Sequence, residues 1–363
     1  MGLNQKIAVI CNYKLLPERV GGMDYFFWDF DKKCKENSID VDWFFPNHSD
    51  HGYYLDLTIN SSEKENIEKH FISFCKENKS EYTHIITHFV ELCTPFFFIV
   101  KKLSNAKVIA VDHNPRPLSG YPLKKKILKK LKGILFSRYI DVFVGVSNYT
   151  ANAVLKDFGS HLQFKIQTIY NGVIIDSILF RENRNINKPG FLVASHLRES
   201  KGIQDLIEAI RNLSVNVKQN ITVNVYGDGP FKVQLTERIV QYGLQKNFNF
   251  MGNKSNLNAI FSQYDYLLQP THMECFSLSI LESLAANVPV ITTNVGGNTE
   301  VITDGVNGFI YEAKDISTLS NIIENICLGN KMISTNTREL IVNSFSLPKM
   351  VENHFKLIEE KRF

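Results

Sequence analysis

Short apolar runs rich in β-branched residues alternate with amphipathic stretches along the whole chain. In the first half the runs predict strands at Ile7–Cys11, Val41–Phe45, His84–Thr87, Val108–Val111, Val142–Val146 and Ile166–Ile169. In the second half they predict strands at Phe191–Ala194, Ile221–Tyr226, Asn249–Met251, Tyr266–Gln269, Pro289–Thr292 and Phe309–Ile310. Helical spacing of apolar positions marks Gly202–Leu213 and Ser279–Ala286 between them. Many of the strand candidates are apolar at every position, as a parallel sheet covered on both faces requires. Strands alternating with helices predict an α/β, doubly wound fold. The pattern occurs twice. The polar, aperiodic stretch Arg181–Gly190 (RENRNINKPG) divides the two occurrences and reads as an exposed linker. The expectation is two Rossmann-like domains facing each other across a cleft, with ligands at the carboxyl ends of the strands.

Length supports two domains, since 363 residues exceed the roughly 250–300 that one core sustains. Hydrophobic residues at 44% and charged residues at 21% exclude a disordered chain. The 41 basic and 37 acidic residues leave +4, too mild a charge to imply nucleic acid as a partner. Cysteines 11, 34, 75, 93, 275 and 327 form no C-x-x-C pair, so they suggest neither a disulfide framework nor a zinc site. They read as reduced thiols of a cytoplasmic protein. The run Ile7–Cys11 is too short for a signal-peptide core. Pro95–Val100 is stopped by Lys101 and Lys102, far short of the roughly 20 residues of a spanning helix. The expected location is the cytoplasm or the inner face of the membrane.

Chemistry concentrates between Tyr264 and Glu312. There a strand leads through a loop into a helix that Ser277 or Ser279 can cap, with Glu274 in the loop and Glu282 in the first turns. Free amides at such a helix start suit a phosphate, and two flanking carboxylates suit the hydroxyls of a sugar nucleotide. Two ordinary surface glutamates are the competing reading of the spacing alone.

The segment resembles the donor-binding signature of glycosyltransferase family 4 (glycosyl transferases group 1), a retaining family with the GT-B fold. The matching positions are Glu274, Cys275-Phe276-Ser277 with Leu278, Glu282, Pro289-Val290-Ile291, Gly296-Gly297, Glu300, Asp304-Gly305 and Gly308-Phe309. Cys275 and Ser277 stand where the family usually has glycines; both are small, so close backbone approach survives in an altered sugar pocket. Lys201, followed by Gly202, matches the family lysine that neutralises the donor diphosphate. His196 replaces the usual arginine, and Arg198 can supply that charge. Gly227 and Gly229 match a G-x-G-P turn that passes close to the nucleotide, or they form a plain turn. Gly252 and Asn253 match the position where the backbone reads the base. Gly21-Gly22 are similar to the glycine loop beneath the diphosphate. His113 matches the histidine near the donor sugar, and His88 a less uniform position. Its neighbour Asp112 reads as structural, because period 2 turns it away from His113. Val146-Ser147 and Asn171-Gly172-Val173 match elements near the domain crossover.

The resemblance implies a retaining transferase moving a sugar from a nucleotide diphosphate donor, UDP-linked by the family's habit, to a hydroxyl acceptor in polysaccharide, lipopolysaccharide or glycolipid synthesis. It implies catalytic roles for His113, Glu274 and Lys201, and neither a metal nor another cofactor. It implies an acceptor-side domain over residues 1–175, a nucleotide-binding domain over 188–344, and a final segment, 345–363, crossing back to the first. A sugar-nucleotide epimerase of the same fold and a non-enzymatic glycan- or nucleotide-binding protein are the alternatives. One further feature is Leu123–Arg138, LKKKILKKLKGILFSR. Leu123, Ile127, Leu131, Ile134 and Leu135 recur at helical spacing among Lys124–Lys126, Lys129, Lys130 and Lys132. Such a helix can lie on anionic lipid or pack on the core with solvated lysines.

Overall fold

The computed structural model describes residues 5–79, 81–185, 187–254 and 256–359. Residues 1–4 of the expected first domain, Ile186 of the expected linker and 360–363 of the expected crossing segment lie outside the described residues. The chain forms two compact units. The first comprises the residues up to Asn114, Gly120–Asn171 and the segment from Leu347; the second comprises Pro115–Ser119 and Gly172–Ser346.

The first unit holds strands β1 (Gln5–Cys11), β2 (Ile39–Phe45), β3 (Thr58–Ser61), β4 (His84–His88), β5 (Lys107–Asp112), β6 (Val142–Gly145) and β7 (Ile166–Thr168). They form one parallel sheet in the order β3-β2-β1-β4-β5-β6-β7. Strand order reverses between β1 and β4, the place where a doubly wound sheet opens a crevice at its carboxyl edge. Ile7 to Cys11 are fully buried, which explains why that strand is apolar at every position. The C-terminal helix Leu347–Glu359 packs within this unit on the helix Gly22–Glu36. Phe26 meets His354 at 4.7 Å between ring centroids, and Lys33 pairs with Glu352 at 3.1 Å.

The second unit holds β8 (Phe191–Ala194), β9 (Val223–Tyr226), β10 (Phe248–Gly252), β11 (Tyr266–Gln269), β12 (Val290–Thr293) and β13 (Gly308–Tyr311). This parallel sheet runs β10-β9-β8-β11-β12-β13, with its reversal between β8 and β11. The helix Ile203–Arg211 buries Ile203, Leu206, Ile207, Ala209 and Ile210 against it, the 3–4 spacing of an amphipathic helix.

Each of the twelve expected strands is present; β3 is additional, a half-exposed edge strand with no apolar run (TINS). Two expectations change. The chain passes between units at Asn171–Gly172, earlier than the interval between residues 175 and 188. Arg181–Gly190 is also strapped to the second unit rather than a free linker. The buried Asp265 carboxylate accepts from Arg181 Nη2 at 2.6 Å, from Asn185 N at 2.6 Å and from Gly190 N at 2.7 Å. Arg184 Nη2 donates to Asn287 Oδ1 at 2.7 Å. Polar residues satisfied by tertiary partners leave no periodic trace in a sequence.

Candidate active site

In the second unit, the loops that leave β8 and β11 flank the reversal of strand order. The β8 loop ends in a 3₁₀ turn, Glu199–Lys201, and Gly202 then starts the following helix with φ +70°. A Cβ on Gly202 would stand 1.7 Å from the Pro270 carbonyl oxygen, so glycine is required where the two loops touch. His272 N bonds Ser200 O at 2.8 Å, and His272 Nε2 lies 2.5 Å from Asp205 Oδ2, locking the loops together.

This lock brings Lys201 and Glu274 into contact. Lys201 Nζ donates to Glu274 Oε2 at 2.7 Å, with the side chains 23% and 12% exposed. Gln269, the polar last residue of β11, stands behind them: its Nε2 reaches Glu274 Oε2 at 3.3 Å and Ser277 Oγ at 2.8 Å. Ser277 is the cap of the helix Leu278–Ala285, accepting from Ile280 N at 3.4 Å. Gly296, at φ +65°, lets the β12 loop pass under Glu274, where a Cβ would stand 2.2 Å from the Glu274 carbonyl oxygen. Glu282 lies half-buried in the same helix, and among the described residues no side chain or amide bonds its carboxyl. Burial without a counter-charge pushes that carboxyl up to about 7.

Other expected donor residues fall into place differently. The Arg198 side chain is exposed and, among the described residues, has no ion pair or hydrogen bond. The ring of Phe276 is buried against Phe345 at 5.5 Å, so its main chain, not its ring, is what a ligand can meet. Leu278 is half-buried and Asn253 exposed. Gly227 and Gly229 serve the β8 loop: a Cβ on them would stand 2.0 Å from Ser195 O and 2.4 Å from Leu197 O. Their missing side chains therefore answer a backbone contact inside the protein.

In the first unit, Gly21 caps the helix Gly22–Glu36, and among the described residues nothing beyond its own chain neighbours lies within 4 Å of where its Cβ would be. Its amide donates to Asp24 Oδ2 at 2.9 Å, and that buried carboxylate also accepts from Tyr54 Oη at 2.6 Å and Tyr13 Oη at 3.0 Å. His113 follows β5 and His88 ends β4, and the two buried rings meet at 3.0 Å between Nε2 of His113 and Nδ1 of His88. Burial, then the neighbouring His354, pushes His113 down to about 3, so it is neutral at physiological pH. Phe89 stacks on His113 with centroids 4.1 Å apart, from a left-handed backbone at φ +58°. Asp112 Oδ1 accepts from the amide and side chain of Asn114, each at 3.1 Å.

Sequence reasoning missed Gln269, His272, Asp24, Phe89 and His354. Two left signals: Gln269 ends an otherwise apolar strand, and His354 sits on the apolar face of the last helix among Met350, Val351, Phe355 and Ile358. Among the described residues no group of three or more His, Cys, Asp or Glu is placed to hold a metal ion. Among them no helix is long and apolar enough to cross a membrane.

Several known proteins are similar to this chain in sequence or in fold. Residues 175–339 match the family model of the glycosyl transferases group 1, a span that contains Lys201, Glu274 and Glu282. An uncharacterized glycosyltransferase of Methanocaldococcus jannaschii is 26% identical over 334 residues, covering 82% of this chain and 91% of the relative. HepE of Anabaena, solved with UDP and glucose, has a TM-score of 0.77 at 17% identity, covering 98% of this chain and 100% of HepE. The lipopolysaccharide outer core galactosyltransferase WaaB in its apo form has a TM-score of 0.74 at 17% identity, covering 98% of this chain and 100% of WaaB.

Proposed function

We propose that this chain, a glycosyltransferase of the GT-B fold, moves a hexose from a nucleotide diphosphate sugar to a hydroxyl acceptor with retention of the anomeric configuration. In this reading the donor is a UDP-sugar, and the acceptor is a surface polysaccharide, lipopolysaccharide or glycolipid precursor. One observation carries it. A lysine and a carboxylate are held together at the carboxyl edge of a parallel sheet, and the helix that follows them carries a second, half-buried carboxylate that no group among the described residues bonds. A diphosphate beside Lys201 releases Glu274 to accept hydroxyls of the sugar. Glu282 accepts the ribose hydroxyls, gaining the hydrogen bonds that an ionised buried carboxyl needs. HepE, whose solved complexes hold UDP with glucose and UDP-glucose, and the galactosyltransferase WaaB support the donor and acceptor classes.

In the mechanism, Lys201, Arg198 and the amides at the start of the helix Leu278–Ala285 stabilise the departing diphosphate, without metal. Donor and acceptor react on the same face of the sugar, and the leaving phosphate takes the acceptor proton. His113, neutral, serves as a hydrogen-bonding group near the sugar.

The test screens nucleotide sugars for donor hydrolysis and follows the anomeric proton of the product by NMR. An α-linked donor giving an α-linked product, with activity surviving EDTA, is expected. Lys201→Ala and Glu282→Ala are each expected to weaken UDP binding at least about tenfold, the worth of a charge-assisted hydrogen bond. A β-linked product overturns the retaining step, and wild-type UDP affinity in both variants overturns the donor site.

The same reading puts the protein at the anionic inner face of a membrane through the helix Leu123–Phe136. Its apolar stripe does not enter the core: Leu123, Ile127, Leu131, Ile134 and Leu135 are 72%, 52%, 51%, 68% and 55% exposed. Gly133 is the residue this helix buries, its backbone so close to Phe158 that a Cβ would stand 2.0 Å from the carbonyl oxygen. An exposed apolar stripe on a helix with no acidic residue suits anionic lipid.

A further inference from the structure

His113 is gripped on two sides. Nε2 lies 3.0 Å from His88 Nδ1, and Phe89 lies nearly flat on the ring, with planes 19° apart. Phe89 reaches that place only because its backbone is left-handed, at φ +58°. A bulky L-residue is strained there and glycine would not be, so the turn leaving β4 keeps a strained residue where a relaxed one would serve. Strain of this kind persists where surroundings over-determine a residue, and it gathers at functional sites. Here the surroundings are aromatic: Phe89 is also tilted against Tyr13, at 5.7 Å between centroids.

The hydrogen bond carries a second constraint. His88 and His113 are both held neutral by burial, and His88 also by His113 and His354. Between two neutral imidazoles one nitrogen donates and the other accepts, so the pair couples the tautomer of His113 to that of His88. His354, stacked on His88 at 5.9 Å, has its own tautomer set by the Met350 carbonyl, 2.9 Å from Nδ1.

We propose that His88 and Phe89 are positioning residues for His113, one fixing which of its nitrogens carries the proton and the other fixing its ring plane. The proposal rests on the reading of His113 as the histidine that meets the donor sugar.

The test uses the full chain and three readouts: ¹⁵N spectra of the His113 imidazole, hydrolysis of a panel of UDP-hexoses, and the thermal midpoint. In wild type the spectra should show one neutral tautomer. Asn carries a polar atom near the place of a histidine Nδ1, so His88→Asn should keep that tautomer, whereas His88→Leu should give a mixture. Phe89→Gly relieves the strain but gives up both ring contacts; with a thermal midpoint that shows a folded chain, it should lose at least tenfold in kcat with KM within twofold. Phe89→Tyr should restore the rate. If Phe89→Gly does not fold, Phe89→Asn, which tolerates a left-handed backbone, replaces it. An unchanged tautomer in His88→Leu, or wild-type kcat in folded Phe89→Gly or Phe89→Asn, overturns the proposal. Wild-type kcat in His113→Ala instead overturns the donor-site reading beneath it. The spectral arm needs no donor, so it decides the His88 part even if none of the panel is hydrolysed.

Discussion

At the scale of the residue, Glu282 carries the sharpest conflict between fold and function. Its carboxyl is pushed up to about 7 from the ordinary 4.5 by burial, so the folded protein holds a proton that the unfolded chain gives up between those values. Stability therefore falls as pH rises from about 4.5 to 7, and the cost is fully present above 7. Glu282→Gln removes the cost. At pH 8 it should raise stability by roughly 1–3 kcal/mol, near pH 4.5 by almost nothing, while UDP affinity falls. Urea unfolding at the two pH values, with calorimetric UDP titration, checks this; a variant less stable than wild type at pH 8 counts against a carboxylate without partners. Sequence spacing drew attention to Glu282 but could not show that no group among the described residues bonds its carboxyl. Nor could it pair Lys201 with Glu274, because that contact depends on loops joined at Gly202 and Pro270. Gln269 and His354 were legible only as polar residues in apolar surroundings, since their partners are distant in the chain.

Elements were more legible, because burial on both faces writes itself into a strand as an unbroken apolar run. β3 escaped for the converse reason, and Arg181–Gly190 misled because hydrogen bonds to Asp265 have no periodicity. The basic helix shows what an apolar period alone leaves open. Its spacing fits a helix packed on the core, yet the stripe stays in solvent because contact is made through Gly133. Its lysines also differ among themselves: Lys129 is bound to Asp157 at 3.1 Å and Lys132 to Glu91 at 2.6 Å. Glutamine at Lys124, Lys125, Lys126 and Lys130 should therefore spare the fold and release the protein from anionic vesicles, each lysine contributing roughly 1 kcal/mol. Serine at Ile127 and Leu131 should do the same at high salt, where charge is screened. Co-sedimentation with phosphatidylserine vesicles reads both, and wild-type protein that ignores such vesicles at low salt ends the membrane reading.

At the scale of the whole molecule, the last helix is the least local element. It buries Leu347, Met350, Val351, Phe355, Leu357 and Ile358 within the unit that the first strand begins. Each such side chain contributes about 1.5–3 kcal/mol when fully buried, and the sum rivals the roughly 5–15 kcal/mol that holds a domain together. A chain stopped after Ser346 should lose hydrogen-exchange protection in β1, β4 and the helix Gly22–Glu36, and keep it in β8–β13. Protection unchanged in the first set would show that the helix merely decorates its unit. The arrangement also sets an order of events at the ribosome. The second unit is complete when Ser346 has emerged, whereas the first must wait, with Phe26 and His88 uncovered, until the helix that covers them has been made. At ~5–20 residues per second the interval from Asn171, where the rest of the first unit is complete, to Glu359 lasts roughly 10–40 s, so the half of the protein translated first is the half that matures last, and its waiting apolar face is where a nascent-chain chaperone would bind.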